Sequence, residues 1–346
     1  MADAIKSKDN PLPAIVWIFD SGAEGPFPVS LFSLSRAAPS LYTNAPLIVL
    51  DCGMSADLYD WLLRKGLPNL TLIKCTLPEP FKVMGVSHTR ASSVMRQRIE
   101  LPTLLSLAMQ DGRVPYFETF LQIDTDTVFL SDPTDVLTQR WSGEDIRCCH
   151  EWDWSGDPKD DLQESMKFIR ESSFFSQGYS AKLPDIANAF GVSVGELRCI
   201  PTVNSGVWMS KVRGKLSEKW IKSYEHLLAI DRRLGPGLFS SYSAEQNALS
   251  LGIYFGDISI RSFERRINNL PPKDPQEWPP TVVIAHFVSL KKNWPRSAYR
   301  LLSKFRHLTQ ESGYAPRSLL FPELVDPDES GLDSASIVDS LSTKTP

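Results

Sequence analysis

The sequence predicts an α/β fold: a mostly parallel central sheet with flanking helices. Short β-branched or aromatic runs alternate with longer stretches of helical periodicity, which is the pattern of strands joined by crossover helices. Each run ends in or beside a polar residue, as buried strands do where they leave a sheet. The 346 residues, 42% apolar and 23% charged, supply the core that one large domain of this class needs.

The strand candidates in order are Ala14–Phe19 (AIVWIF), Leu47–Leu50 (LIVL), Leu70–Ile73 (LTLI), Phe120–Ile123 (FLQI), Gly206–Met209 (GVWM) and Thr281–Ala285 (TVVIA). Between them, Ser55–Lys65 reads as a helix with Ser55 as N-cap, apolar Leu58, Tyr59, Leu62 and Leu63, and Gly66 as its stop. A second helix runs from about Ser92 to Met109. A third, Ser217–Ile230, spaces Trp220, Tyr224, Leu227 and Leu228 on one face, as packing onto a sheet requires. Residues 1–12 read as an irregular N-terminus and 13–310 as the single domain. The stretch 156–202 reads as an insertion, either a substrate-specific wall or a structural excursion.

Charge narrows the function. With 41 acidic and 37 basic residues the net charge is −4, which excludes an electrostatic grip on nucleic acid. Residues 311–346 carry seven acids against Arg317 and Lys344, and read as a flexible acidic tail. The remaining body is close to neutral, so an anion site there must be built from a few local groups. Five cysteines (Cys52, Cys75, Cys148, Cys149, Cys199) without CxxC spacing read as reduced thiols. No stretch approaches the roughly 18 apolar residues of a membrane span, and the N-terminal apolar run is too short for a secretion signal. The expectation is a cytoplasmic protein.

The strongest chemical signal is FLQIDTDTVFL, with Asp124 and Asp126 one residue apart at the end of an apolar run. Strand alternation would point both carboxylates the same way. Such a pair at the carboxyl edge of a parallel sheet makes a hard-oxygen site for Mg²⁺ or Mn²⁺; the plainer reading is a pair of turn acids. His286 closes the run TVVIAH, and HFVSLKKNW adds Lys292, with Lys291 as its competitor, and Trp294. An imidazole there can complete a carboxylate metal site, and an ammonium can reach phosphates. Asn204-Ser205-Gly206 places an amide and a close-approach glycine at the mouth of another strand. Ala244-Glu245-Gln246-Asn247 presents polar side chains at a helix N-terminus, where capping is the alternative role.

Taken in chain order, these pieces resemble glycosyltransferase family 8, the glycogenin-like and lipopolysaccharide-galactosyltransferase-like group with a GT-A fold. The resemblance runs with gaps from about Ile15 to Trp294. It includes IFDSGAEGPFPVSLFSLSRAAPS, LIVLDCGMS, RIELPTLL, QIDTDTVFLSDP, VNSGVWMS, AEQNALS and HFVSLKKNW. It implies transfer of a hexose from a nucleotide-diphosphate sugar, usually a UDP-hexose, to an acceptor the sequence does not name, with Mn²⁺ (or Mg²⁺) and with retention. It further implies metal ligation by Asp124, Asp126 and His286, a diphosphate contact from Lys292, and a uracil or ribose contact from Asp20. Arg98 would face the nucleotide or sugar, and Asn204, Glu245 and Gln246 the sugar, with Gln246 and Glu245 nearest the chemistry.

The sequence departs from that family at four places. Glu245 stands where Asp is usual, Ser21-Gly22 replaces Asp-Asn, and Ser289 and Asn293 replace the Gly and Pro of H-x-x-G-x-x-K-P-W. Two other classes remain open on sequence: a metal-dependent phosphoesterase or nucleotidyltransferase, for which His150-Glu151-Trp152-Asp153 is the nearby source of further ligands, and a non-catalytic nucleotide-sugar-binding protein.

Overall fold

The computed structural model describes residues 12–21, 24, 26–75, 89–150, 183–197, 203–234, 244–263, 267 and 282–286. Strand β1 (Ala14–Phe19) is buried along its whole length and alternates perfectly. Ala14, Val16 and Ile18 enter one apolar core, while Ile15, Trp17 and Phe19 enter another on the opposite face. A strand apolar on both sides must be covered on both sides, and this one is.

Strand β2 (Leu47–Asp51) and β3 (Leu70–Lys74) run parallel beside β1. On the other side of β1 lies β4 (Thr119–Ile123), also parallel. β7 (Val203–Lys211) then pairs antiparallel with β4 and with β6 (Ile146–His150), and β8 (Ile260–Ser262) pairs parallel with β6. The described sheet therefore has the order β3-β2-β1-β4-β7-β6-β8. A separate two-stranded ribbon joins β5 (Thr127–Phe129) to β9 (Ile284–His286).

Helices α1 (Phe27–Ala37), α2 (Pro39–Asn44) and α3 (Ala56–Lys65) supply the core beneath Ile15, Trp17 and Phe19. The ends of α3 are the ones its sequence asks for. Ser55 Oγ accepts from the Leu58 N–H at 3.2 Å, and Gly66 closes the helix in the left-handed region at φ +57°. The opposite face is covered by α4 (Thr89–Gln110), by α8 (Leu216–Leu234) and by α9 (Ala244–Tyr254). Trp208 of β7 stacks edge-on against Phe120 and Trp220, with centroids at 5.2 and 5.5 Å, which anchors α8 to the sheet. Short helices α5 (Thr134–Leu137), α6 (Leu183–Phe190) and α7 (Val194–Leu197) complete the described elements.

Several elements differ from the sequence expectation. The C-terminal strand begins at Ile284 rather than Thr281 and takes in His286. Asn204 and Ser205 lie inside the nine-residue β7 rather than ahead of it; Ser205 bonds to Glu245 and Gln246 of α9, and Asn204 Oδ1 accepts from the Gly206 N–H. Part of the expected insertion, 183–197, is helical, and the tail 311–346 and residues 1–11 lie outside the described residues.

Candidate active site

The carboxyl ends of the parallel strands β1 and β4 lie side by side, where open α/β sheets present their ligand-binding groups. Asp20, half-buried, follows β1 directly. Asp124 follows β4, and its N–H donates to the Gly206 carbonyl at 2.7 Å, carrying the β4–β7 ladder one residue further. Asp124 and Asp126 stand in a turn between β4 and β5, so strand alternation is not what aligns them.

Side chains from other elements hold that turn. Thr127 Oγ1 donates to the Asp124 carbonyl at 2.7 Å, and Trp17 Nε1 donates to Ser30 Oγ at 3.1 Å. Ser30 and Thr127 are 3.1 Å apart. With the Thr127 proton already committed, Ser30 is the donor in that contact. The buried chain Trp17–Ser30–Thr127 ties β1 and α1 to the metal-type turn.

The ribbon brings in the third group. Thr127 pairs across it with His286, which sets the imidazole opposite the residue that follows Asp126. His286 Nε2 lies 3.3 Å from Asp126 Oδ1 and 3.7 Å from Asp124 Oδ2. One ligand atom from each of the three residues falls within 4.8 Å of the other two, and among the described residues this is the single cluster of its kind. Gly206 makes the approach possible. A Cβ there would meet His286 Cε1 at 2.0 Å and Asp124 Oδ2 at 2.8 Å, so no larger residue fits without displacing a ligand.

Two carboxylate oxygens and an imidazole nitrogen form a donor set suited to Mn²⁺ or Mg²⁺, and their spacing allows convergence on one small cation. Burial works against the charge on Asp124 and on His286, with neighbours opposing it. It pushes the Asp124 carboxyl upward despite Arg98 and His286. It disfavours the His286 imidazolium, but Asp126 and Asp124 outweigh it and raise the affinity for a proton. A site that holds cationic charge this firmly between two carboxylates suits a divalent ion in the same place.

Behind the cluster, Arg98 of α4 links three elements. Its Nη2 donates to Asp124 Oδ1 at 2.5 Å, and its Nη1 donates to Glu245 Oε1 at 3.1 Å and to Ser205 Oγ at 3.2 Å. Gln122 Nε2 also donates to Asp124 Oδ1, at 3.2 Å. Gln246 Oε1 accepts from the Ser205 N–H at 3.0 Å, and Asn204 Oδ1 from the Gly206 N–H at 2.9 Å. Trp220 Nε1 donates to the Glu245 carbonyl at 2.7 Å and so sets where α9 begins. Arg98 Nε and Glu245 Oε2 are buried with no hydrogen-bond partner among the described residues.

Asp124, Asp126 and His286 are thus together, with Arg98, Glu245 and Gln246 linked through Ser205, while Asn204 bonds to the Gly206 N–H. Arg98 is engaged chiefly by carboxylates of the protein. Lys292, with Lys291 and Trp294, lies outside the described residues, as do Ser289, Asn293 and Glu151–Asp153; His150 is the last residue of β6. Gln122 and Ser205 belong to the network too. The sequence signal for Gln122 was a polar residue inside the apolar run FLQI, and for Ser205 its place in Asn204-Ser205-Gly206.

The architecture is that of the GT-A glycosyltransferases. The galactosyltransferase LgtC, solved with donor and acceptor sugar analogues, matches 88% of this chain and 98% of its own at a TM-score of 0.54 and 16% identity. An active-site variant of LgtC gives 0.53 over the same shares, again at 16% identity. The bifunctional glycosyltransferase WbbM gives 0.51 at 13% identity, over 88% of this chain and 52% of its own. The likeness is one of fold. No protein-family model matches the sequence, and no curated protein matches it either. Among the described residues no helix is long and apolar enough to cross a membrane.

Proposed function

We propose that this chain is a metal-dependent glycosyltransferase that moves a hexose from a nucleotide-diphosphate sugar, a UDP-sugar, to an acceptor hydroxyl with retention at the anomeric carbon. The observation that carries the reading is the Asp124–Asp126–His286 cluster at the carboxyl edge of a GT-A sheet, with the Arg98–Glu245 network directly behind it. LgtC, of the same fold, was solved with donor and acceptor sugar analogues, which supports a sugar donor and a sugar-bearing acceptor here.

Asp124, Asp126 and His286 would hold Mn²⁺ or Mg²⁺, which when bound supplies positive charge to the departing diphosphate. The rest falls to the chain's own groups. Arg98 fixes the Asp124 carboxylate and donates to Glu245, whose carboxyl burial still pushes upward although Arg98 opposes it. The Lys292 ammonium is assigned to the diphosphate by resemblance, where it would meet charge that grows as the bond breaks. Asp20 is assigned to the nucleoside.

Gln246 is an amide whose oxygen is already engaged by Ser205, so it serves neither as a base nor as a lasting nucleophile. Glu245 is buried, with Oε1 on Arg98 and Ser205. Neither residue stands as a free carboxylate base opposite the leaving group, which an inverting enzyme would need. This favours front-face substitution. The anomeric carbon–oxygen bond to phosphate breaks, the acceptor oxygen bonds to the same face, and the departing phosphate oxygen takes the acceptor proton. The test is a panel of nucleotide sugars incubated with Mn²⁺ or with EDTA and scored for nucleotide release, followed by anomeric NMR of the first product. Release that is equal in EDTA, or an inverted product, overturns the corresponding part of the reading.

A further inference from the structure

We propose that Cys52 and Cys75 are a redox-modification site, a dithiol that closes to a disulfide across the carboxyl ends of β2 and β3, with Cys75 as the attacking thiol and Cys52 as the resolving one. The backbone brings them together. β2 and β3 are parallel and in register to Asp51↔Lys74, and the Cys75 N–H donates to the Asp51 carbonyl at 2.8 Å, so Cys52 and Cys75 are the next matched positions. Leu50 and Ile73, two residues earlier on each strand, pack into the same core as Cys52 and Cys75, which places both thiols on one face of the sheet. Matched positions on adjacent strands lie about 4.8 Å apart, inside the roughly 4.4–6.8 Å Cα separation that a disulfide spans.

The two thiols are close enough to interact, and the Cys75 Sγ lies 3.9 Å from the Ile73 carbonyl. Their environments divide the roles. Cys52 is buried and Cys75 half-exposed. Interaction between the two thiols favours the Cys75 thiolate and pushes the Cys52 thiol up, and burial raises Cys52 further. The other described cysteines contrast with this. Cys148 and Cys149 are adjacent in sequence but enter opposite cores, and burial pushes the Cys148 thiol up.

With a hydroperoxide as oxidant the chemistry balances. The Cys75 thiolate attacks the peroxide oxygen, the O–O bond breaks, and hydroxide or alkoxide leaves to give the sulfenic acid. The Cys52 thiol then attacks that sulfur; the S–S bond forms, and the hydroxyl departs with the thiol proton as water. A disulfide there would brace the turn that flanks Asp20, because the Cys52 N–H donates to the Phe19 carbonyl and the Ser21 N–H to the Gly53 carbonyl, both at 3.0 Å.

The experiment treats the full-length chain with hydrogen peroxide, alkylates it and maps its peptides. The expected result is a Cys52–Cys75 linked peptide in most of the protein, reversed by dithiothreitol. In Cys52→Ser the Cys75 sulfenic acid should accumulate and be trapped by dimedone, and in Cys75→Ser Cys52 should stay a thiol. Should a variant fail to fold, the unaltered protein still decides: one equivalent of phenylarsine oxide should protect both cysteines from alkylation together. Oxidation of Cys75 with Cys52 left as a thiol, a link from Cys75 to any other cysteine, or failure of the arsenical to protect the pair overturns the proposal. None of these readouts depends on glycosyl transfer, so failure here is separate from failure of the proposed activity.

Discussion

Arg98, largely buried, and Arg147, fully buried, both face a glutamate, and the fold uses them in opposite ways. Arg147 Nε donates to Glu144 Oε1 at 2.7 Å, Nη1 to the Gln139 carbonyl at 3.0 Å and Nη2 to the Arg140 carbonyl at 2.7 Å, with the Trp141 ring 4.3 Å from the guanidinium carbon. Glu144 Oε2 is filled by the Ser142 N–H and hydroxyl, both at 2.8 Å. Each nitrogen of this guanidinium has a partner, and the side chain is 2% exposed. Around Arg98, by contrast, Nε and Glu245 Oε2 have no partner among the described residues, and Asp124, which it holds, is 23% exposed. A self-contained pair belongs to the framework. We propose that a network with capacity left over among the described residues, at a sheet edge beside a metal-type cluster, serves a ligand.

The comparison can be broken at either arginine. The largest effect expected is that of Asp126→Ala, which should cut metal-dependent turnover by roughly a thousandfold or more. The melting temperature should move by no more than a few degrees. Calorimetry of UDP with Mn²⁺, beside a thermal melt, checks this; unchanged UDP affinity in EDTA would remove the cluster from the site. Next is Arg147→Met, which strands Glu144 and should cost about 3–5 kcal/mol in urea unfolding. Turnover per folded molecule should stay intact, and Glu144→Gln in the same chain should recover much of the loss. If Arg147→Met instead lowers turnover at unchanged stability, the division into framework and site is wrong.

Lys292→Ala should raise the barrier by about 2–4 kcal/mol, with Lys291→Ala nearly neutral. The reverse order of sensitivity would shift the assignment by one residue. The last effect is on pH. Burial alone would raise the Glu144 carboxyl, but hydrogen bonds from its own N–H, from Ser142 and from Arg147 hold it at about 2. Because the folded value lies below the unfolded one near 4.5, this stabilisation is fully present above pH 4.5 and is lost as pH falls towards 2. It amounts to at most about 3 kcal/mol. Acid unfolding curves of the wild type and Glu144→Gln should converge across that window, and parallel curves would show that the pair is not closed as described.

Part of this arrangement was legible before any coordinates. The unbroken apolar run AIVWIF predicts a buried strand, and β1 divides its residues between two cores. Ser55 and Gly66 predict both ends of α3, because capping and a left-handed terminus are local needs met by local residues. The spacing of Asp124 and Asp126 points to a cation, and Gly206 to a close approach, even though the carboxylates converge through a turn. What separates these from the rest is range. Propensity and capping act within one helical turn or one strand.

The longer-range matches depend on which strands pair and in what register. Only the pairing Thr127↔His286 puts the imidazole against two carboxylates far away in the chain. Only the joint packing of α4, β7 and α9 sets Arg98 between Asp124 and Glu245, and only the β2–β3 register matches Cys52 with Cys75. A one-residue slip in any strand would turn its side chains to the other face while leaving its composition unchanged. Residue types therefore announce a metal site, a strand or a cap, whereas their partners follow from a register that the whole core selects.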